Sequence, residues 1–359
     1  MTKIRYAVVG AGWISQIAFM PSVGQTENSE MTAIVTGNVD KAKQLADFYG
    51  IKNIFSYEQY DEMLAADVID AVYIALPNSM HADYAIRALS AGKHALVEKP
   101  LAVSIAESEA MIKAANDNNA LLMTAYRLHC EPGTVELIER LHEGAIGEVK
   151  HFASTFSFQS DLGNHRLQAE HWGGPFQDIG VYCLNAARHV FRDEPTHVMA
   201  MKTHGNGDPR FTEVEGSMAV TLMFPRERMA QFMISFEAGG TDMFRVMGTE
   251  GQITMEAAYE FQTSPRMSIV RDDGKDEELT FDDCDHFGGQ TAYFSDCILN
   301  GVQPEPDGEE GLADMHALLA MEQAAKTGVT QKINAKPRPG HPTRDMVRIV
   351  PRTEKRLVF

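Results

Sequence analysis

The chain has 359 residues, room for two domains with cores of their own, and its 44% hydrophobic and 23% charged content is that of a soluble globular protein. A formal net charge of −18 argues against nucleic acid or an anionic membrane as partner, because both need a basic face. No run of about 18 apolar residues and no signal-type leader is visible, and Cys130, Cys183, Cys284 and Cys297 show no C-x-x-C spacing, so free thiols in a cytoplasmic protein are expected.

The first third alternates short apolar runs with helical patterns. "IRYAVVGAG" reads as a strand, and "WISQIAFMPSV" opens a helix that Pro21 is expected to kink or shorten. "MTAIVTGN" is a second strand, followed by the helix "VDKAKQLADFYG" ending on Gly50. "AVYIALP" and "HALVEKP" are further strands around the helix "SMHADYAIRALSAG", and Ser104 is placed to cap the helix before "ALLMTAYR". Apolar strands separated by helices imply a parallel, doubly wound sheet.

After about Tyr126 the rhythm changes. "EPGTVELIERLHEG" is helical, "VKHFASTFSFQ" is a long strand, and a Gly-rich approach leads into the helix "DIGVYCLNAARHVF". From His197 to Val270 strands follow one another at short spacing, as in a large antiparallel sheet, and helical patterns return over Gln290–Asn300 and Gly311–Thr327. The expected fold is thus α/β followed by α+β. A Rossmann domain that binds the nucleotide over residues 1–125 precedes a domain over 126–330 with a large, mainly antiparallel open sheet. A basic extension over 331–359 follows. Its eight Lys/Arg against two Asp/Glu give +6 and leave the rest of the chain near −24.

Two stretches carry cofactor chemistry. "VVGAGWIS" supplies Gly10 and Gly12, with Trp13 and Ile14 opening the helix and Ser15 in the third glycine position. The first glycine permits a tight turn, and the second lets backbone approach a pyrophosphate. The second strand ends "IVTGN", so no acid stands where NAD sites place one for the ribose 2′-hydroxyl. Thr36, Gly37 and Asn38 with Lys41, and with Lys43 beyond, gather hydroxyl, amide and ammonium groups suited to a 2′-phosphate. NADP is the expected cofactor.

"PNSMHADYAIRALSAGKHALVEKPLA" resembles the signature of the Gfo/Idh/MocA oxidoreductases. Within that family, "AYRLHCEP" and "GGPFQDIGVYCLNAARHVF" resemble the branch of glucose–fructose oxidoreductase and related NADP-dependent aldose oxidoreductases and dehydrogenases. The resemblance runs from Ile4 to about Val329. It implies a sugar or cyclitol substrate and a homo-oligomer, dimer or tetramer, formed through the open sheet face. The family's E-K-P falls on Glu98, Lys99 and Pro100, and its D-x-x-x-Y falls on Asp178 and Tyr182.

The roles that follow are Tyr182 as proton shuttle, Lys99 as its electrostatic partner and substrate orienter, and Asp178 as substrate anchor. Glu98 would hold the cofactor and strand geometry. Oxidising a sugar's anomeric carbon sends a hydride to the nicotinamide and needs an acceptor for the hydroxyl proton. A neighbouring ammonium stabilises the phenolate that accepts it.

Pro77, Asn78 and His81, after "AVYIAL", are expected at the cofactor. Tyr126, Arg127 and His129 should line the substrate cleft, with Arg127 and Arg166 also near the nucleotide. Pro175 interrupts a glycine run that begins with Gly173 and Gly174. The spacing of His165, His171, Cys183 and His189 matches no metal-ligand pattern, so no metal is expected. The basic tail reads as an arm lying on the acidic body or on a neighbouring subunit, and the twenty methionines as core fillers. The competing readings are a non-catalytic NADP-binding sensor, or a dehydrogenase of another cyclic polyol such as an inositol or a 1,5-anhydro sugar.

Overall fold

Short runs of β-branched and aliphatic residues, nearly all withdrawn from water, build the first sheet. Its strands are β1 (Ile4–Val9), β2 (Ser29–Val35), β3 (Asn53–Phe55), β4 (Ala71–Ile74), β5 (His94–Val97) and β6 (Leu122–Thr124). They pair in the order β3-β2-β1-β4-β5-β6, all parallel. The order reverses between β1 and β4, the crevice where open α/β sheets receive ligands. The computed structural model describes every residue except Met1, Pro339, Thr353, Glu354 and Phe359.

The helices, in chain order, are α1 (Met20–Val23), α2 (Val39–Tyr49), α3 (Tyr60–Ala65), α4 (His81–Ser90), α5 (Ile105–Asp117), α6 (Pro132–His142), α7 (Val181–Phe191), α8 (His286–Asn300) and α9 (Gly308–Thr327). Local chemistry explains their ends. Asn38 caps α2 by accepting the Lys41 N–H at 2.9 Å, and Gly50 closes it at φ 71°. Ser104 caps α5, while Glu107 reaches back to the Val103 N–H at 3.1 Å. Pro21 does not shorten its helix. The run continues from 13 to 23, and the turn Ser15–Phe19 widens to a π-helix just ahead of the proline.

The unit built on this sheet comprises Met1–Glu131, Asp283–Gly311 and Asp345–Phe359, which differs from a boundary at 125. Packing gives the reason. Phe294 and Cys297 of α8 belong to one apolar cluster with Tyr6, Val8, Phe19 and Tyr73. The Ser295 hydroxyl meets Tyr6 Oη and Ser29 Oγ, each at 2.8 Å. Each large aliphatic side chain buried in this way contributes about 1.5–3 kcal/mol. At the start of β1, Arg5 donates its backbone N–H and its Nε to Asp70 and pairs also with Asp67, which holds both carboxyls below their usual range.

The second unit comprises Pro132–Asp282 and Leu312–Arg344. Its strands are β7 (Val149–Ser157), β8 (His197–Thr203), β9 (Ser217–Phe224), β10 (Arg228–Ser235), β11 (Thr241–Gly248), β12 (Gly251–Glu256), β13 (Arg266–Arg271), β14 (Glu277–Thr280) and β15 (Gln331–Lys332). They run β14-β13-β12-β11-β7-β10-β9-β8-β15. The sheet is mainly antiparallel, with β7 and β10 parallel at its centre. The strands β3, β14 and β15 and the helix α3 go beyond the sequence reading.

One sheet face is covered. Gly180 lies so close to β10 that a Cβ there would sit 2.6 Å from Ile234 Cδ1, and Ser154 of β7 donates to Cys183 Sγ of α7. The other face is open. Register aligns Met201, Ala219 and Met233 across β8, β9 and β10, and Met199, Met201 and Met233 are 58%, 78% and 58% exposed. These methionines are not core fillers, because strand alternation puts Val198 and Ala200 inward and Met199 and Met201 outward.

The helical side of this unit holds a buried ionic network. Arg188 of α7 pairs with Glu194 at 2.6 Å and with Asp314 at 2.7 Å, and Asn185 also donates to Asp314. Replacing Arg188 with Met would leave two buried carboxylates short of their cation. The variant is expected to lose about 3–5 kcal/mol in urea unfolding; a loss under about 1 kcal/mol would show that the network contributes little.

All four cysteines are buried free thiols. No helix among the described residues is long and apolar enough to cross a membrane.

Candidate active site

The glycine turn is set by space. Gly10 follows β1 at φ 93°, and a Cβ there would lie 2.6 Å from the Ala75 carbonyl oxygen. Its N–H donates to Val35 O at 2.9 Å, and its own carbonyl accepts from the Ser15 hydroxyl at 2.6 Å. Ser15 in the third glycine position therefore locks the turn from within. Around Gly12 no atom lies within 4 Å of where a Cβ would stand, which leaves the backbone open for a pyrophosphate. Trp13 is exposed and Ile14 half-buried beside it. Gly10→Ala is expected to weaken nicotinamide-nucleotide binding at least about tenfold, through strain at positive φ and the clash with Ala75. Calorimetric titration of the folded variant checks this; an unchanged affinity would separate the turn from the nucleotide.

At the end of β2, Thr36 is buried, while Gly37 and Asn38 are exposed and Lys41 is half-buried. Asn38's N–H reaches Thr36 Oγ1 at 3.4 Å, and Tyr57's ring packs 3.5 Å from the Cβ position of Gly37. The loop is thus shaped by Thr36, Tyr57 and the cap of α2, and β2 itself ends without a carboxylate. These residues fit a phosphorylated ribose.

The ends of β4 and β5 are tied together by His81. Its Nδ1 lies 2.9 Å from Pro100 O and its Nε2 2.9 Å from Leu76 O, and the residue is wholly buried. Burial and the Lys99 charge push its pKa down. The neutral ring has one N–H, so it donates to one of these carbonyls and packs against the other; both nitrogens are taken up by the loops, where direct cofactor contact is expected. Pro77 and Asn78 lie half-buried just before it.

Glu98 and Lys99 follow β5 and keep part of their surface. Tyr73 Oη donates to Glu98 Oε1 at 2.6 Å, and Tyr73's ring stacks on Phe19 at 3.8 Å. Desolvation pushes the Glu98 carboxyl up, opposed by Lys99, Tyr73 and Arg127. Tyr73 is a site residue that the sequence reading missed. Its only signal is a hydroxyl inside an otherwise apolar strand.

Beyond β6, Tyr126 stacks on His129 at 5.3 Å, and His129 Nδ1 lies 2.6 Å from Glu305 Oε2. Arg127 donates to His286 Nδ1 at 3.0 Å and stands 5.7 Å from the Phe287 ring. These three are expected to line a cleft, and all are under 5% exposed. Arg127 and His129 are spoken for by α8 and by the segment that follows it.

In the second unit, the π-helical turn Phe176–Gly180 leads into α7. Along 176–191 only Asp178, Tyr182 and Ala186 keep partial exposure, a stripe at four-residue spacing. Tyr182's ring lies 5.9 Å from that of Phe156 and 6.1 Å from that of Tyr259. Arg166 Nε pairs with Asp178 Oδ2 at 2.8 Å, which puts Arg166 beside the proposed substrate anchor.

The loop between them is fixed. Gly174's N–H donates to Arg166 O at 2.8 Å, and a Cβ on Gly173 would lie 2.4 Å from that same oxygen. Gly174 stands at φ 124° with Gln177 Oε1 and Glu215 Oε1 each 2.6 Å from its Cβ position. Pro175 sits at φ −66°, a helical value, so a third glycine is not needed. Glu215, buried and pushed up by desolvation, had no distinguishing signal in the sequence.

The parallel sheet, its switch point and its glycine turn define a dinucleotide-binding unit. Residues 4–126 match the model of the oxidoreductase family with an NAD-binding Rossmann fold, and residues 134–254 match the GFO/IDH/MocA C-terminal domain. The chain is 30% identical to D-xylose 1-dehydrogenase (NADP+) of Haloarcula marismortui, over 92% of this chain and 93% of that protein. Among solved structures, the aldose-aldose oxidoreductase of Caulobacter crescentus, complexed with glycerol, superposes with a TM-score of 0.87 at 32% identity, covering 92% of this chain and 100% of that one. KijD10, a 3-ketoreductase from Actinomadura kijaniata solved with NADP and TDP-benzene, gives 0.82 at 28% identity, over 90% and 98% of the two chains. The protein belongs to the Gfo/Idh/MocA oxidoreductase family.

Proposed function

We propose that the protein is an NADP-dependent sugar oxidoreductase, acting at the first carbon of a glucose- or xylose-like aldose to give the lactone, or running the reverse reduction. The likeness to an NADP-dependent D-xylose 1-dehydrogenase over 92% of the chain carries this reading. Bound NADP supplies the hydride acceptor or donor. Gly10, Gly12 and Ser15 shape the turn for its pyrophosphate, and Thr36, Asn38 and Lys41 receive the 2′-phosphate. Lys99 presents a positive charge to the reacting hydroxyl, Tyr182 takes its proton, and Asp178, oriented by Arg166, anchors the ring.

The test is direct. Purified protein is mixed with NADP or NAD and a panel of aldoses and cyclitols, and absorbance of the reduced nicotinamide is followed. Turnover with an aldose and NADP supports the reading. Tight NADP binding with no turnover on any sugar would favour a sensor, and turnover on cyclitols alone would move the substrate class.

A second reading, in which a retained nucleotide is reduced by one sugar and reoxidised by another, draws on the likeness to the aldose-aldose oxidoreductase. A nicotinamide absorbance that survives gel filtration would favour it.

We further propose a cytoplasmic homo-oligomer whose subunits pair through the open sheet face. Met201→Glu with Met233→Glu would place two carboxylates in the exposed methionine row and is expected to release single chains in light scattering. A wild type that is already a single chain, or a variant of unchanged mass, would refute this pairing.

A further inference from the structure

Gln16 stands in the π-helical turn that follows the glycine loop and is only 3% exposed. Its Nε2 donates to Ala11 O at 2.9 Å and to Val358 O at 3.1 Å, and its Oε1 accepts the Val358 N–H at 2.6 Å. Ala11 is the residue between the two glycines of the nucleotide turn. One side chain thus joins that turn to a residue 342 positions away.

Val358 is no loose end. It is 7% exposed and belongs to the apolar cluster that includes Ala11, Phe19, Met20 and Leu45. The segment leading to it is pinned at successive points. Arg348 pairs with Asp296 at 2.9 Å, Asp285 donates its N–H to Val350 O at 2.7 Å, and Arg352 pairs with Asp283 at 2.7 Å. The Arg356 guanidinium lies 5.5 Å from the Phe48 ring centroid. Three cationic side chains of an acidic protein, Arg348, Arg352 and Arg356, are thereby used to seat one strap. This strap is the last part of the basic extension of the sequence reading.

We propose that this strap is a working part of the nucleotide site, with Gln16 and Val358 as positioning residues that hold the Ala11 carbonyl and so fix the backbone N–H groups presented to the pyrophosphate. The ion pairs and the burial of Val358 would seat the strap without Gln16. The paired bonds to Gln16, and Gln16's own bond to Ala11, are what connect it to the turn. An amide at position 16 that loses Val358 is left buried with an unmatched donor and acceptor, and it must turn away or draw water in. Turning away breaks the bond to the Ala11 carbonyl, and water beside Gln16 competes for it. The proposal rests on the reading of this turn as the NADP site.

The test uses the full chain, Gln16→Ala, Gln16→Glu, a chain ending at Pro351, and that shortened chain carrying Gln16→Ala. Glutamate keeps the acceptor for the Val358 N–H, loses the amide's donations to both Ala11 O and Val358 O, and adds a negative charge. NADP affinity is read by calorimetry, KM for NADP and for the sugar by steady-state kinetics, and folding by circular dichroism. Each single change is expected to weaken NADP binding about tenfold, with the loss falling on KM for NADP and not on KM for the sugar. The combined variant should be no weaker than the shortened chain, because both changes break the same link.

Folded variants that bind NADP within twofold of wild type would overturn the proposal, as would losses that multiply in the combined variant. If the shortened chain does not fold, Gln16→Ala decides, because it breaks the link without placing a charge beside the pyrophosphate. A wild type that binds no NADP would instead refute the nucleotide reading itself.

Discussion

Replacing Tyr182 with Phe is expected to lower turnover by about a hundredfold or more while leaving NADP binding unchanged. The substitution removes only the phenolic oxygen. The ring keeps its neighbours Phe156 and Tyr259, so the helix face should hold its shape. On the proposed mechanism, what is lost is the acceptor for the hydroxyl proton as the hydride leaves the sugar. Tyr182 suits that role because it lies on the half-exposed stripe of an otherwise buried helix, four residues after Asp178. Steady-state rates with saturating NADP check the expectation. A loss below about threefold would assign the proton transfer to another group.

Lys99→Met should cost more, about a thousandfold in kcat/KM. Methionine retains most of the side-chain length and removes the charge. Without the ammonium, negative charge on the reacting oxygen has no fixed counter-charge. His81 gives a further readout, because the Lys99 charge adds to burial in holding its pKa down. In the variant His81 should become easier to protonate, which histidine NMR can follow. If Lys99 and Tyr182 act on one hydroxyl, the double variant will lose much less than the product of the single losses. Losses that simply multiply would mean that the two residues act independently.

Much of this was legible before any coordinates. Apolar runs such as "AVYI" and "HALV" have one stable fate beside helices, a parallel strand buried on both faces. The glycine turn was legible because Gly10 answers a steric demand local to the chain. Pairing between distant strands was not. Nothing in "VKHFASTFS" or "RMAQFMIS" states that they run parallel, because that is fixed by the path of the segments between them.

Met218, Met255 and Met267 do fill the core of the sheet, and the exposed Met199, Met201 and Met233 depart from that expectation for a different reason. Residue type was weighed above period, and the alternation in "HVMAMKT" already put Met199 and Met201 on one face. Asp178 and Tyr182 are picked out by the family motif D-x-x-x-Y, and their four-residue spacing puts them on one helix face. The pairing of Arg166 with Asp178 and the clamp made by His81 depend on loop geometry that no local pattern encodes.

The first unit is assembled from three separated stretches, and this bears on its synthesis. At roughly 5–20 residues per second, on the order of 10–30 seconds pass between the ribosome's release of residue 131 and its arrival at residue 283. Throughout that interval the sheet lacks the helix whose Phe294 and Cys297 complete one of its cores. Nascent chains of this protein should therefore be clients of chaperones that shield half-finished sheets, and a fragment stopping at residue 131 should aggregate where the whole chain does not.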